Sequence, residues 1–191
     1  DSLADGREDA NADGELSDGE SDPLDPDTDG DGLDDGTEVE KLATDPLKVD
    51  TDGDQLPDGL EAGVQGDQDQ ATQTDPTRSD SDGDGVPDGV EDANGNGKQD
   101  SDEMDPLRRD TDGDGLSDGA EDTDADGTVD DDETDPTKRD TDDGGVPDGR
   151  EVNQHMTDPL DGREDRTEDR DGAGATSHEA RHAGTSAPSV R

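Results

Sequence analysis

The chain has 191 residues, and its Lys+Arg 15 against Asp+Glu 62 give a formal net charge of −47 at pH 7. Apolar residues are only 19% of the chain, and Phe, Tyr, Trp and Cys are absent. Such a composition excludes an ordinary hydrophobic core and disulfide cross-links, because too little apolar surface is available to offset the entropy lost on ordering. The charge has the wrong sign for contacts with nucleic-acid phosphates, and the longest apolar run is too short to cross a membrane.

Repeated twelve-residue loops organise most of the chain. Residues 1–8 are interpreted as an N-terminal lead-in, residues 9–160 as tandem repeats, and residues 161–191 as a low-complexity flexible tail. Loops of the first type, called A loops here, have the form DTDGDGLSDGAE, which is the sequence of residues 110–121. The five A loops begin at Asp27, Asp50, Asp80, Asp110 and Asp140, at spacings of 23, 30, 30 and 30 residues. In the last one, DTDDGGVPDGRE, Asp143 and Gly144 are interchanged relative to the pattern.

A second type, the B loops, occupies residues 9–20 (DANADGELSDGE), 92–103 and 122–133. The last two follow an A loop with no residue between them, and residues 62–73 fill a B slot with most acidic positions lost. An Asp-Pro pair punctuates every unit, at 22, 45, 75, 105, 135 and 158. Because Pro fixes its own φ and favours extended geometry in the residue before it, these pairs predict regular, non-helical joints.

The spacing inside the loops predicts calcium binding. When each loop is numbered from 1 to 12, acidic or amide side chains stand at 1, 3 and 5, Gly usually at 6, often Asp at 9, and Glu at 12. These are the ligand positions of an EF-hand calcium loop, to which the backbone carbonyl of position 7 is added. Calcium takes six to eight hard oxygens, alternate side chains can converge on one ion, and Gly at 6 permits the sharp turn. An all-oxygen, multi-carboxylate site favours calcium over magnesium, which keeps its waters.

Eight near-complete loops predict about eight Ca²⁺ ions. The predicted ligands in the A loops are Asp27, Asp29, Asp31, Leu33, Asp35, Glu38, Asp50, Asp52, Asp54, Leu56, Asp58, Glu61, Asp80, Asp82, Asp84, Val86, Asp88, Glu91, Asp110, Asp112, Asp114, Leu116, Asp118, Glu121, Asp140, Asp142, Val146, Asp148 and Glu151. Those in the B loops are Asp9, Asn11, Asp13, Glu20, Asp92, Asn94, Asn96, Lys98, Asp100, Glu103, Asp122, Asp124, Asp126, Thr128, Asp130 and Glu133.

The stretch TDPLKVDTDGDQLPDGLE, residues 44–61, resembles thrombospondin type 3 repeats, most closely their bacterial form. The resemblance covers roughly residues 9–160. It implies calcium-filled repeats with little regular secondary structure, in secreted or surface proteins, and it carries the ligand roles to positions 1, 3, 5 and 12 of each intact loop. The chain departs from the animal repeats in having no cysteine, and the 62–73 slot and the 140–151 loop are atypical.

Other interpretations explain less of the pattern. An acidic disordered linker explains the charge but not the fixed grid. Paired EF-hands need an amphipathic helix on both sides of each loop, and a dockerin needs a helix after each loop, where this chain has Asp-Pro. In the tail, HEARH (178–182) matches the zinc-protease pattern H-E-x-x-H, but glycines surround it and no third ligand accompanies it, so a chance match is the interpretation.

The sequence therefore predicts little regular secondary structure, in an extended, calcium-stapled tandem-repeat array of EF-hand-like loops. Helical turns are expected at GTEVEKLA (36–43) and GREVNQHM (149–156). The expected function is a calcium-rigidified spacer, stalk or fibre of an exported or cell-surface prokaryotic protein, and not an enzyme. The alternative is a calcium store or mineral-interacting acidic protein. The expected partners are calcium ions, with self-association into a filament or a larger surface protein as a further expectation.

Overall fold

The computed structural model describes residues 3–163, and short helical turns joined by irregular segments make up this part of the chain. The helices are α1 (Asp5–Glu8), α2 (Asp35–Thr37), π1 (Glu38–Leu42), α3 (Asp58–Glu61), α4 (Asp88–Glu91), α5 (Asp118–Glu121), α6 (Asp148–Arg150) and π2 (Glu151–His155). No strand occurs within residues 3–163. The predicted fold class, a loop-rich repeat array with few short helices, is confirmed. No helix in the described range is long and apolar enough to span a membrane.

Each α-helix of an A loop begins at position 9, at the Asp-Gly pair. The residue before it is extended, as at Pro57 (φ −69°, ψ 140°) and Ser117 (φ −95°, ψ 152°), so the chain enters the helix through a sharp change of direction. In the two units without a B loop, the turn continues as π1 or π2 and ends in a left-handed residue, Ala43 (φ 65°) or Met156 (φ 59°). The helical turns predicted at 36–43 and 149–156 lie in these two segments.

The ligand loops require left-handed backbone at positions 4 and 6. In the first A loop these are Gly30 (φ 85°) and Gly32 (φ 100°), and only Gly adopts this region without strain. Two A loops depart from the rule, with Gln55 (φ 91°) at position 6 of the second and Asp143 (φ 59°) at position 4 of the fifth, and two B loops have Ala12 (φ 60°) and Ala125 (φ 55°) at position 4.

Carboxylates, rather than apolar side chains, form the best-buried part of the fold. The fully buried large side chains include Glu38, Glu91 and Glu121, and Val86 is the one hydrophobic residue of this class within residues 3–163. The buried apolar residues are Leu3, Leu33, Leu56, Leu60, Val86 and Met104. Such a small apolar set cannot by itself order the chain.

Each A loop stacks on the previous one through the glycine at position 10. The backbone N–H of Gly119 donates to the Asp84 carboxylate at 2.9 Å, and that of Gly59 to Asp31 at 3.0 Å. A Cβ added at Gly119 would lie 2.6 Å from the carbonyl oxygen of Asp84, so only glycine permits this approach. The A loops therefore form a continuous row in which each helix rests on the ligand loop before it.

The Asp-Pro joints bring the chain back to this row whether or not a B loop intervenes. Thr44, just before its joint, donates its hydroxyl to Glu38 at 3.2 Å across six residues. Thr134 makes the same bond to Glu121 at 3.0 Å across 13 residues, with B loop 122–133 between them. The B loops are thus side excursions from a row built by the A loops and the joints.

Candidate metal centres

The carboxylates at positions 1, 3 and 5 of an A loop converge, as the sequence predicts. Their oxygens lie within 4.8 Å of one another in groups that could hold a metal ion, namely Asp27–Asp29–Asp31, Asp50–Asp52–Asp54 and Asp80–Asp82–Asp84. We call these the loop clusters.

Backbone N–H groups fix the carboxylates of a loop cluster. Asp27 accepts from the N–H of Gly30 at 2.8 Å and of Gly32 at 3.1 Å, while Asp31 accepts from that of Leu33 at 2.7 Å. The Oδ2 atom of Asp29 is buried with no hydrogen-bond partner in the described chain. Burial and the neighbouring carboxylates raise the pKa of Asp29 to about 6. The backbone thus orients the carboxylates of a loop cluster, and the Asp29 Oδ2 atom is available to a ligand from outside the chain.

A second kind of cluster joins neighbouring A loops. Asp31 and Glu38, positions 5 and 12 of one loop, lie within 4.8 Å of Asp58, which is position 9 of the next loop. The same arrangement recurs at Asp54, Glu61 and Asp88, and all six residues are buried. We call these the junction clusters. The sequence assigned Asp58 and Asp88 to their own loops, whereas the structure also brings them to the preceding loops.

A threonine at position 2 orients the position-9 carboxylate. Asp58 accepts from the Thr51 N–H at 2.8 Å and from the Thr51 hydroxyl at 2.7 Å. The same hydroxyl oxygen accepts from the N–H of Asp45 in the joint at 2.9 Å. One side chain thereby links the joint, the ligand loop and the junction cluster. The Thr-Asp-Gly sequence alone does not indicate this role, because it depends on how the joint and the loop pack together.

The glutamates at position 12 of the A loops are buried, and protein groups bond them only in part. Glu38, Glu61 and Glu121 each use one oxygen to accept a threonine hydroxyl, while their other oxygen has no partner within residues 3–163. In the third unit Met104 stands where Thr134 stands in the fourth, and it has no hydroxyl to donate to Glu91. Both side-chain oxygens of Glu91 are buried and have no hydrogen-bond partner within residues 3–163. Burial, reinforced by nearby aspartates, raises the pKa of Glu91 to about 10 and of Glu38 to about 8.

Several buried carboxylates in contact are unstable as anions unless a cation offsets them. Hard carboxylate oxygens are the ligands that calcium takes, and magnesium would demand stricter geometry and more water. The loop and junction clusters therefore fit calcium.

The B loops differ at position 12. Their glutamates turn back into their own loop and accept backbone N–H groups at both oxygens, as Glu20 does from Asn11 at 3.0 Å and from Ser17 at 3.1 Å. Glu133 accepts the hydroxyl of Thr123, and this bond with further backbone bonds lowers its pKa. The position-1 carboxylates are held as in the A loops, by the N–H groups of Gly14, Gly97 and Gly127.

Within B loop 92–103, protein groups also satisfy the carboxylate at position 9. Asp100 pairs with the Lys98 ammonium and accepts from Asn94 at 3.2 Å and Asn96 at 3.0 Å. In this loop the predicted ligands are brought together, but amide and ammonium groups compete for their oxygens.

The degenerate slot at 62–73 packs against the next B loop through direct hydrogen bonds. The N–H of Gln68 donates to the Asn96 carbonyl at 3.0 Å, and the hydroxyl of Thr72 donates to the Gly97 carbonyl. Hydrogen bonds within the chain thus join this slot to loop 92–103.

The fifth A loop keeps its backbone shape without the carboxylate at position 5. Gly144 donates its N–H to Asp140 at 3.0 Å and to Asp142 at 2.7 Å, as Asp114 does to Asp110 and Asp112 in the fourth loop. Three of the residues predicted to offer carbonyls at position 7, Leu33, Leu56 and Val86, have buried side chains, and the carbonyl role of all position-7 residues stays a prediction. The HEARH stretch lies outside the described residues.

A family model described as "Bacterial TSP3 repeat" matches residues 27–49 and 80–95. The resemblance stated from the sequence is confirmed for these two segments, which hold the first A loop with its joint and the third A loop with the start of its B loop. No curated protein and no solved structure gave a significant match. The TSP3 repeat is a calcium-binding structural repeat found in extracellular proteins and is not an enzyme family. The match and the acidic clusters together support calcium binding by this chain.

Proposed function

We propose that residues 9–160 act as a calcium-rigidified spacer, stalk or fibre segment of an exported or cell-surface protein in a prokaryote. The observation that carries the proposal is the junction cluster, in which carboxylates of two successive A loops are buried together. A cation bound at Asp31, Glu38 and Asp58 would hold two loops in a fixed relation.

Calcium would supply the charge that this arrangement lacks. The chain has a net charge of −47, and the described clusters concentrate anions where solvent cannot screen them. Without a bound cation these loops repel one another; with it, the free energy of binding becomes free energy of folding. Extracellular calcium modules bind at about 10⁻⁴–10⁻³ M, so the segment would be soft in the cytosol and rigid outside the cell.

A calcium store or mineral-interacting protein is the competing function. Capacity alone requires carboxylates but no fixed relation between loops. The glycine contacts between A loops and the Thr51-type bridges to the joints are features of a defined shape. They favour the spacer.

Small-angle X-ray scattering tests the proposal by comparing the chain in about 5 mM calcium with the chain in a chelator. This calcium concentration exceeds the dissociation constants of extracellular calcium modules. A spacer requires calcium to convert a coil into a rod of defined length. Bound ions would be counted on the same samples. The eight near-complete loops predict about eight ions if loop and junction clusters share an ion. Four separate junction ions would raise the count to about twelve (8 + 4). Ion binding without a change of shape would favour storage instead.

A further inference from the structure

We infer that Glu8 and Asp35 form one more junction site for a calcium-like divalent cation, and that residues 3–8 are part of an A loop rather than a lead-in. This inference rests on the proposed function and adds a site outside the eight loops.

The register of the sequence supports this assignment. ADGRE (4–8) corresponds to PDGLE (57–61), and Glu8 stands 30 residues before Glu38, which is the spacing of the longer units. A B loop, 9–20, follows Glu8 directly, as B loops follow the third and fourth A loops. Ser21 then precedes an Asp-Pro joint 13 residues after Glu8, the same distance that separates Thr134 from Glu121.

The structure of this segment is that of positions 7–12 of an A loop. Helix α1 begins after an extended residue, Ala4 (φ −90°, ψ 134°), as α5 begins after Ser117 (φ −95°, ψ 152°). Leu3 is buried two residues before the Asp-Gly pair, in the position of Leu33. These features place Glu8 at position 12 of an incomplete loop.

Glu8 also has the surroundings of a position-12 glutamate. It is only 3% exposed, and its Oε1 atom is buried without a hydrogen-bond partner among residues 3–163. Asp35 is fully buried and has the largest electrostatic effect of any single carboxylate on Glu8. Glu8 lines one cavity with Asp22, and the Thr28 hydroxyl connects Asp22 to Asp35, accepting from the Asp22 N–H at 2.9 Å and donating to Asp35 at 2.8 Å. Asp35 accepts the N–H of Thr28 at 2.9 Å and the Thr28 hydroxyl at 2.8 Å, the same pair of bonds that orients Asp58 in its junction cluster.

The ligand class follows from these donors. Two buried carboxylates, with oxygen as the only available donor atom, suit a hard divalent cation.

The test is a count of bound calcium in the 191-residue chain carrying Glu8→Gln. Protein would be stripped with chelator and dialysed to equilibrium against about 5 mM calcium, and bound metal would be taken as the difference between the two compartments, measured by mass spectrometry. Protein concentration would come from amino-acid analysis, because the chain has no Trp or Tyr. Glu40→Gln is the matched control, since it removes the same charge from an exposed side chain that pairs with Arg7 near α1.

We expect Glu8→Gln to bind one ion fewer than the parent chain, with an unchanged scattering profile, and Glu40→Gln to bind the parent number. An unchanged count in Glu8→Gln overturns the inference while leaving the proposed function intact. Loss of two or more ions also overturns it, because Glu8 would then support the array rather than one site. Absence of calcium binding by the parent chain would instead be the failure of the proposed function.

Discussion

Gly119→Ala should loosen the contact between the third and fourth A loops. The added Cβ would lie 2.6 Å from the Asp84 carbonyl oxygen, 3.2 Å from its carbonyl carbon and 3.4 Å from the Cα of Gly85. Real Cβ contacts do not occur below 3.0 Å, so the loops must separate by at least 0.4 Å (3.0 − 2.6). All three atoms belong to the backbone, and no side chain can turn away to make room.

The expected cost is the difference of two effects. Overpacking of this kind costs about 1–3 kcal/mol, while Ala in place of Gly within a helix gains about 0.5–1 kcal/mol. We therefore expect a net loss of about 1 kcal/mol at the junction, the difference between the midpoints of the two ranges. The loss should be accompanied by a longer bond, or none, between the Gly119 N–H and the Asp84 carboxylate, now 2.9 Å.

Gly6→Ala is the matched control. It is the equivalent Asp-Gly position in α1, and an added Cβ meets nothing within 4 Å. Both variants would be compared with the parent chain by scanning calorimetry at one fixed free calcium concentration, because ligand binding shifts the transition. Gly6→Ala should be neutral or slightly stabilising. Equal stability of Gly119→Ala and Gly6→Ala would refute the claim that A loops pack directly on one another.

Three further outcomes are expected. Thr51→Val should lower the free energy of unfolding of the calcium-loaded chain by about 1–3 kcal/mol, because it removes two hydrogen bonds and leaves the buried Asp58 carboxylate short of a donor. Calorimetry would compare it with Thr77→Val, since the Thr77 hydroxyl bonds only to nearby Asp75 at an exposed turn. The exchange Asp143→Gly with Gly144→Asp should add or tighten one ion in a calcium titration, since it restores the position-5 carboxylate and removes a left-handed non-glycine residue; an unchanged isotherm would contradict it. In calcium-free buffer the folded pKa of Glu91 is raised to about 10 from 4.5, so the folded chain binds more protons than the unfolded one and its stability falls as pH rises through this window. Size-exclusion chromatography should therefore show a more compact chain at about pH 5 than at about pH 8, and Glu91→Gln should flatten the difference.

The sequence was sufficient for the local part of the site. Gly at positions 4 and 6 and alternating aspartates dictate a turn in which side chains 1, 3 and 5 face one point, because each step depends on neighbours within the loop. The convergence of Asp27, Asp29 and Asp31 follows from this local geometry.

The junction clusters could not be predicted from spacing alone. Asp58 meets Asp31 and Glu38 because Gly59 allows the second A loop to approach the first. Gly59 bonds to Asp31, which is 28 residues away along the chain. A twelve-residue pattern carries no information about which loop will pack on which. The available signal was the glycine at position 10, which an isolated calcium loop does not require and which a close backbone contact does.

The return of the chain to the row after each B loop has a consequence for how such arrays can vary in length. Thr44 bonds to Glu38 across six residues and Thr134 bonds to Glu121 across 13, yet each reaches the position-12 glutamate of its own A loop. The number of residues in a unit therefore does not determine the spacing between successive A loops. Whole B loops can be inserted, eroded as at 62–73, or deleted as in the 23-residue unit, while the reach of the segment is set only by the number of A loops. Side loops could then diverge in sequence and acquire new surface chemistry without changing the distance that the array spans.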